Sequence, residues 1–231
     1  DLFLYLIGKR KNFTLTSKII IIITLLLWLG GAFQLFVSDQ LWAMGWDGFQ
    51  IALFQSMTAH TTVGFNSFDI GSFSTSALFV LIILMMIGAS PSGTGGGIKT
   101  TSVTAVMAVL ISVLRKRKII TFLNRAIPAN NIYLAVSSTL FYSILLSLST
   151  WGILLVDGEL FSFQELLFEC ASALSTVGIS TGITGDLSIG GKLIIIILMF
   201  VGRIGVLTFG FALISNAPLL KQTTIEEDIA I

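Results

Sequence analysis

Long apolar runs alternate along this chain with short polar stretches that carry glycine. Residues 19–37, 132–156 and 193–214 are each long enough to cross ~30 Å of hydrocarbon as a helix rising ~1.5 Å per residue. Residues 75–87 are as apolar, but thirteen positions are too few to span. That run breaks at residues 88–97, which hold Gly88, Gly93, Gly95, Gly96 and Gly97, and an apolar helix resumes over 98–114. Irregular backbone at membrane depth is tolerated only where protein or a watery cavity shelters it. Two further stretches, 45–59 and 162–173, are amphipathic and only a few turns long. Each leads into a polar loop, Thr61-Thr62-Val63-Gly64-Phe65-Asn66 and Ser175-Thr176-Val177-Gly178-Ile179-Ser180. The pattern predicts the same order twice: span, short re-entrant helix, loop, second span.

The repetition extends to individual residues. Gly64 and Gly178 lie 114 positions apart, and at that one offset Phe49 meets Phe163, Gln50 meets Gln164, Phe54 meets Phe168 and Ala59 meets Ala173. Thr62-Val63-Gly64 meets Thr176-Val177-Gly178 without a gap, and Ser74 meets Ser188, Met85 meets Met199 and Gly88 meets Gly202. A shared offset through polar loops is far less common by chance than similarity between apolar runs. Both units enter and leave on one side, which makes them parallel repeats about an axis along the membrane normal. We expect one unit over residues 1–125 and the other over 126–231.

Composition agrees with a membrane protein: of 231 residues, 55% are hydrophobic and only 11% charged, too few to coat a soluble fold. The single cysteine, Cys170, excludes a disulfide scaffold, and a net charge of +1 gives no sign of a nucleic-acid partner. Lys9, Arg10, Lys11 and Lys18 precede the first span, Arg115, Lys116, Arg117, Lys118 and Arg125 separate the units, and Lys221 follows the last span. The positive-inside rule places these ends in the cytoplasm, where the Asn12 glycosylation sequon would go unused. Asp39, Asp47, Asp69, Asp157, Glu159, Glu165 and Asp186 fall on the outer side, with Lys192.

A Thr-Val-Gly loop at membrane depth has a physical use. Glycine reaches backbone angles that turn successive carbonyls towards one axis, and rings of such carbonyls replace the water shell of a cation, as in the Thr-Val-Gly-Tyr-Gly filter of potassium channels. The C-terminal, negative end of each short helix would favour the same cation. For one loop alone, a glycine that merely lets the chain turn is an equally good reading. Two matching loops behind matching helices favour a pore.

The stretches 61–66, 88–101 (GASPSGTGGGIKTT), 175–184 (STVGISTGIT) and 201–208 (VGRIGVLT) resemble the Trk/Ktr/HKT superfamily of potassium transporters, above all the bacterial Trk and Ktr membrane subunits. The resemblance implies an all-α membrane protein built of tandem span–pore helix–span units around one potassium-channel-like pore. Members carry four units; two stand here, with the arginine-bearing helix that the family places last. The sequence, which starts at Asp1, is therefore expected to be the third and fourth units. The resemblance assigns filter carbonyls to Thr62, Val63, Gly64 and Phe65 and to Thr176, Val177, Gly178 and Ile179, with potassium as the transported ion at those residues alone. Asn66 and Ser180 stand where a second filter glycine would, so passage of cations is the firmer expectation and strict potassium-over-sodium selectivity the weaker one. It assigns a gate to Gly88, Gly93, Gly95, Gly96, Gly97 and Arg203. It implies, too, a homodimer in the lipid of the bacterial cytoplasmic membrane and a nucleotide-binding regulatory ring on the cytosolic face, towards which the tail from Lys221 would project.

Arg203 lies eleven residues beyond Lys192, near mid-membrane, where an unsheltered arginine costs about 2.5–3.5 kcal/mol. It reads either as an electrostatic barrier beneath the filter that holds the loop closed or as a cap on the loop's carbonyls; intramembrane charge favours the barrier. A nucleotide-binding P-loop at 93–100 fails, because Ile98 separates Gly97 from Lys99 and an apolar helix, not a strand, precedes it. Smaller roles follow for His60, hydrogen-bonded to the re-entrant backbone in an orienting role, for Glu169, buried and hydrogen-bonded behind the second loop, for Cys170, as packing, and for Trp28, Trp42, Trp46 and Trp151, which include interfacial anchors. The Arg115–Lys118 cluster needs no role beyond topology. No nucleophile, acid pair or metal set sits at membrane depth, so neither an enzyme nor a cofactor is expected. A non-conducting assembly or regulatory half-subunit remains the rival to a pore.

Overall fold

The computed structural model describes residues 13–214 except 89, 92, 94 and 118. The Asn12 sequon, Lys9, Arg10 and Lys11, Ser92 and Thr94, Lys118 and the tail from Lys221 lie outside the described residues.

Helix α1, Leu15–Ser38, starts a turn earlier than the apolar run, because Thr14 Oγ1 accepts the Ser17 amide as an N-cap. A one-turn 3-10 helix, Leu41–Met44, leads into the short helix α2, Gly45–His60. Helix α3, Thr75–Met86, is capped by Ser74, and after the glycine-rich break α4 runs from Thr100 to Leu114. A minimal hairpin, β1 Thr121–Phe122 against β2 Arg125–Ala126, turns the chain into α5, Ala129–Asp157. The second short helix, α6, Phe163–Leu174, begins in a capping box in which Ser162 Oγ accepts the Glu165 amide and the Glu165 carboxylate accepts the Ser162 amide. Then come α7, Ile189–Ile204, and α8, Val206–Ile214. The architecture is all-α, the hairpin being the only paired strands among the described residues.

Helices α1 and α5 are long and apolar enough to cross a membrane, whereas α7 and α8 reach that length only together and are bent by 97° where they meet. The single span expected over 193–214 is therefore two helices. Gly205 is the cause: at φ 96° it takes a conformation that other residues avoid, and α7 stops at Ile204. A lone glycine in an apolar helical pattern does not announce whether it bends or continues.

Both long helices turn bulky apolar side chains outward, Leu26, Leu29 and Phe33 on α1 and Leu140, Leu148 and Leu155 on α5. A surface so apolar fits hydrocarbon. The buried core forms around α6, whose Leu166, Phe168, Cys170, Ala171 and Leu174 are fully enclosed by α3, α5 and α7. Helix α2 packs on α1 and α3, so α3 is shared: it closes the first unit and walls the short helix of the second.

The repeat has a device that the sequence pattern did not reveal. Asp39, which ends α1, accepts the Ser74 amide (2.7 Å) and hydroxyl (3.1 Å); Asp157, which ends α5, accepts the Ser188 amide and hydroxyl (both 3.0 Å). In each unit a carboxylate at the end of the first span clamps the N-cap of the second. The two aspartates lie 118 positions apart rather than 114, because α2, with 16 residues, is one turn longer at its start than α6, with 12. Asp157 is buried, so it belongs to this clamp and not to an acidic outer surface.

Candidate ion pathway

Both short helices end alike. After α2 the Thr62 amide bonds to the Ala59 carbonyl (3.4 Å) and the Val63 amide to the Thr58 carbonyl (3.1 Å). After α6 the Thr176 amide bonds to Ala173 (3.0 Å) and the Val177 amide to Ser172 (2.9 Å). This pairing is a Schellman cap, whose left-handed position glycine usually fills. Here it holds Thr62, φ 56°, and Thr176, φ 55°. A β-branched residue there is an outlier that costs about 1–2 kcal/mol. Two residues on, Gly64 (φ 87°) and Gly178 (φ 90°) are left-handed again. The hand alternates along 62–64 and along 176–178, which swings successive peptide planes so that neighbouring carbonyls can face one side.

Hydroxyls on the short helices hold these shapes. The Phe65 amide donates to Thr58 Oγ1 (3.0 Å), and the Gly178 amide donates to Ser172 Oγ (3.1 Å). Thr58 and Ser172 are mates at the 114 offset, a signal present in the sequence whose link to the loops only the structure makes visible. Ser172 Oγ in turn donates to the Ile179 carbonyl (2.6 Å). That oxygen is turned back towards α6, contrary to the expectation that Ile179 offers it to an ion.

The two loops meet. A Cβ on Gly64 would lie 2.0 Å from the Val177 carbonyl oxygen, so that oxygen faces the other loop across a gap only glycine leaves. The equivalent direction at Gly178 meets nothing within 4 Å among the described residues.

Beneath the second loop lies the glycine-rich break. The Gly96 amide donates to Thr176 Oγ1 (3.0 Å), and a Cβ on Gly96 would come within 2.5 Å of the Ser175 carbonyl. Lys99 Nζ donates to the Gly95 carbonyl (2.5 Å), so a lysine performs the carbonyl capping weighed for Arg203. Gly93, Gly95, Gly97, Lys99 and Arg203 share the wall of one cavity of about 700 Å3. Arg203 is exposed there, in the last turn of α7, while neighbouring Gly202 lets α7 rest against the Leu174 carbonyl at the end of α6. Gly88 packs against the Gly96 carbonyl at the top of the break.

A family model described as TrkH, cation transport protein, matches residues 9–219. The chain belongs to the TrkH family. It is 39% identical over 211 residues to Ktr system potassium uptake protein D of Bacillus subtilis, covering 90% of this chain and 46% of that protein. Ktr system potassium uptake protein B of Vibrio alginolyticus is 35% identical, over 73% of this chain and 36% of its own length. The potassium/sodium uptake protein NtpJ of Enterococcus hirae is 30% identical, over 90% and 48%. The chain thus spans about half the length, or less, of these relatives. Its fold matches the crystal structure of the potassium transporter TrkH from Vibrio parahaemolyticus with a TM-score of 0.71 at 21% identity, over 90% of this chain and 45% of that one. TrkH-family proteins are membrane transporters, not enzymes, which bears out both the all-α membrane fold and the non-enzymatic reading.

Other side chains depart from expectation in instructive ways. His60 Nδ1 lies 2.8 Å from the Ile87 carbonyl, so it ties α2 to the end of α3 and not to the re-entrant loop. Trp28 donates from Nε1 to the Leu53 carbonyl, and its own carbonyl accepts Ser56 Oγ; it joins α1 to α2 rather than anchoring at an interface. Trp42, Trp46 and Trp151 are exposed. Cys170 is buried in the core, and Glu169 is buried and hydrogen-bonded behind the second loop.

Proposed function

We propose that this chain contributes two units of a pore that carries potassium into a bacterium across the cytoplasmic membrane. The reading rests above all on the matched left-handed Thr and Gly positions in two loops that touch. The backbone oxygens of Thr62, Val63, Gly64 and Phe65, with those of Thr176, Val177 and Gly178, stand in for the ion's water shell, and potassium is the cargo. With Ile179 engaged by Ser172 and no second glycine at Asn66 or Ser180, the filter offers few complete ion sites. That favours, as second reading, a pathway shared with sodium, in line with the resemblance to the potassium/sodium uptake protein NtpJ of Enterococcus hirae. Growth of potassium-uptake-deficient bacteria on low potassium tests the reading. The complete transporter should restore growth, Gly64 or Gly178 variants should not, and restoration by both variants would refute it.

Exposure supports a ring of four units, of which these are the third and fourth. Phe168 on α6 is 0% exposed behind α3, while its mate Phe54 on α2 is 44% exposed. Val177 is 4% exposed and Val63 55%. Gln164 Nε2 donates to the Thr75 carbonyl, whereas its mate Gln50 is exposed. Thr176 Oγ1 accepts Gly96, whereas buried Thr62 Oγ1 has no hydrogen-bond partner among the described residues. Whatever the second unit receives from the first, the first leaves open for a predecessor. A head-to-tail contact of this kind generates a ring when the rotation between units closes, as four units about one axis would.

In the same reading Gly88, Gly93, Gly95, Gly96 and Gly97 form the gate, and Arg203 sets a positive barrier in the cavity beneath the filter. The bases Arg115, Lys116, Arg117 and Arg125 mark the cytoplasmic side, with both chain ends on it. A homodimer and a cytosolic nucleotide-binding ring complete the assembly.

A further inference from the structure

The two loops are alike in backbone but are held from behind by different chemistry. On α6, Glu169 is buried and meets only donors. Its Oε1 accepts the Ser180 hydroxyl (2.7 Å), the Thr181 amide (2.9 Å) and the Thr181 hydroxyl (3.1 Å), and its Oε2 accepts the Thr184 hydroxyl (2.6 Å). An acceptor-only carboxylate fits such a set, and hydrogen bonds to a charged group are roughly twice as strong as neutral ones. All four partners belong to the strand of chain that leaves the second loop. The mate of Glu169 on α2 is Gln55, at the 114 offset. It is fully buried, accepts only the Ser67 amide at 3.4 Å, and leaves Nε2 without a hydrogen-bond partner among the described residues.

A cage of carbonyls discriminates between monovalent ions only if its oxygens resist closing around the smaller one or keep a fixed number and orientation. Either way, the stiffness of the backing matters. We infer that Glu169 is the positioning residue that sets ion discrimination, by anchoring residues 180–184 so that the second loop keeps its shape. The first loop, backed by Gln55, is the compliant one. This inference rests on residues 175–180 being a filter loop.

The test compares potassium and sodium as competitors of radiolabelled rubidium influx into liposomes that hold the complete transporter. Glu169→Gln should lower the potassium-over-sodium preference about tenfold, the loss expected for a charge-assisted bond. Thr184→Val, which keeps the carboxylate and three of its four bonds, should lower it less. Neither should change the melting temperature in proportion. An unchanged preference in a folded Glu169→Gln protein overturns the inference, since a purely structural carboxylate would affect yield or melting alone. If that variant does not fold, Thr184→Val decides in the same way. Gly178→Ser separates the two levels. Lost discrimination there with intact discrimination in Glu169→Gln removes this inference and leaves the filter standing. Intact discrimination in Gly178→Ser removes both.

Discussion

Thr62 and Thr176 show what a single position can carry. A threonine at the left-handed point of a helix cap is strained where glycine would be relaxed, and strain of this kind persists only where surrounding structure over-determines it. At Thr176 the hydroxyl accepts the amide of the glycine-rich segment, a bond that glycine would forfeit. Gly64 is constrained twice, by φ 87° and by the Val177 carbonyl that a Cβ would strike at 2.0 Å. Gly64→Ala should therefore reduce potassium uptake by the complete transporter at least tenfold, because the loops must part; near-normal rubidium uptake would show that they do not pack this way. Arg203 lines the cavity with the glycine-rich break but is not needed to cap Gly95, which Lys99 does. Arg203→Gln should then raise flux in a normally folded protein. Unchanged or lower flux would make the arginine structural. The types of residue at these positions were legible in the sequence. The direction of a carbonyl was not, because Ile179 and Val177 differ in partner, not in kind.

At the scale of elements, apolar runs predicted the helices well, since a membrane-depth backbone has few alternatives to helix. The misses have local causes. Gly205 bends a span by 97° through one dihedral, which no periodicity encodes. The Asp39–Ser74 and Asp157–Ser188 clamps do not share the 114 offset, because the extra first turn of α2 shifts the register ahead of the loop. These clamps should be stabilising to different degrees. Asp157 is buried and Asp39 half-buried, so Asp157→Ala should cost about 2–3 kcal/mol and Asp39→Ala about 1 kcal/mol. Thermal unfolding of the purified protein reads the difference, and equal or negligible losses would contradict the assignment.

At the scale of the whole molecule, the two units sit in unequal surroundings. Helix α3 packs on both short helices, yet Phe168 and Val177 of the second unit are buried where their mates Phe54 and Val63 of the first are exposed. That asymmetry could not be read from the sequence, in which the units look equivalent. It predicts a change of environment at Phe54. In Phe54→Cys, a thiol reagent should label this chain produced alone and fail to label the complete transporter, with buried Cys170 silent in both. Labelling in both would argue against a neighbouring unit there.

All of these readings meet at the oxygens of residues 62–65 and 176–178. Their most direct test is anomalous scattering from rubidium or thallium in crystals of the complete transporter. Ion density within coordinating distance of the Val63, Gly64, Val177 and Gly178 carbonyls is the predicted result. Ordered ions elsewhere in the membrane region, with none at these oxygens, would contradict it.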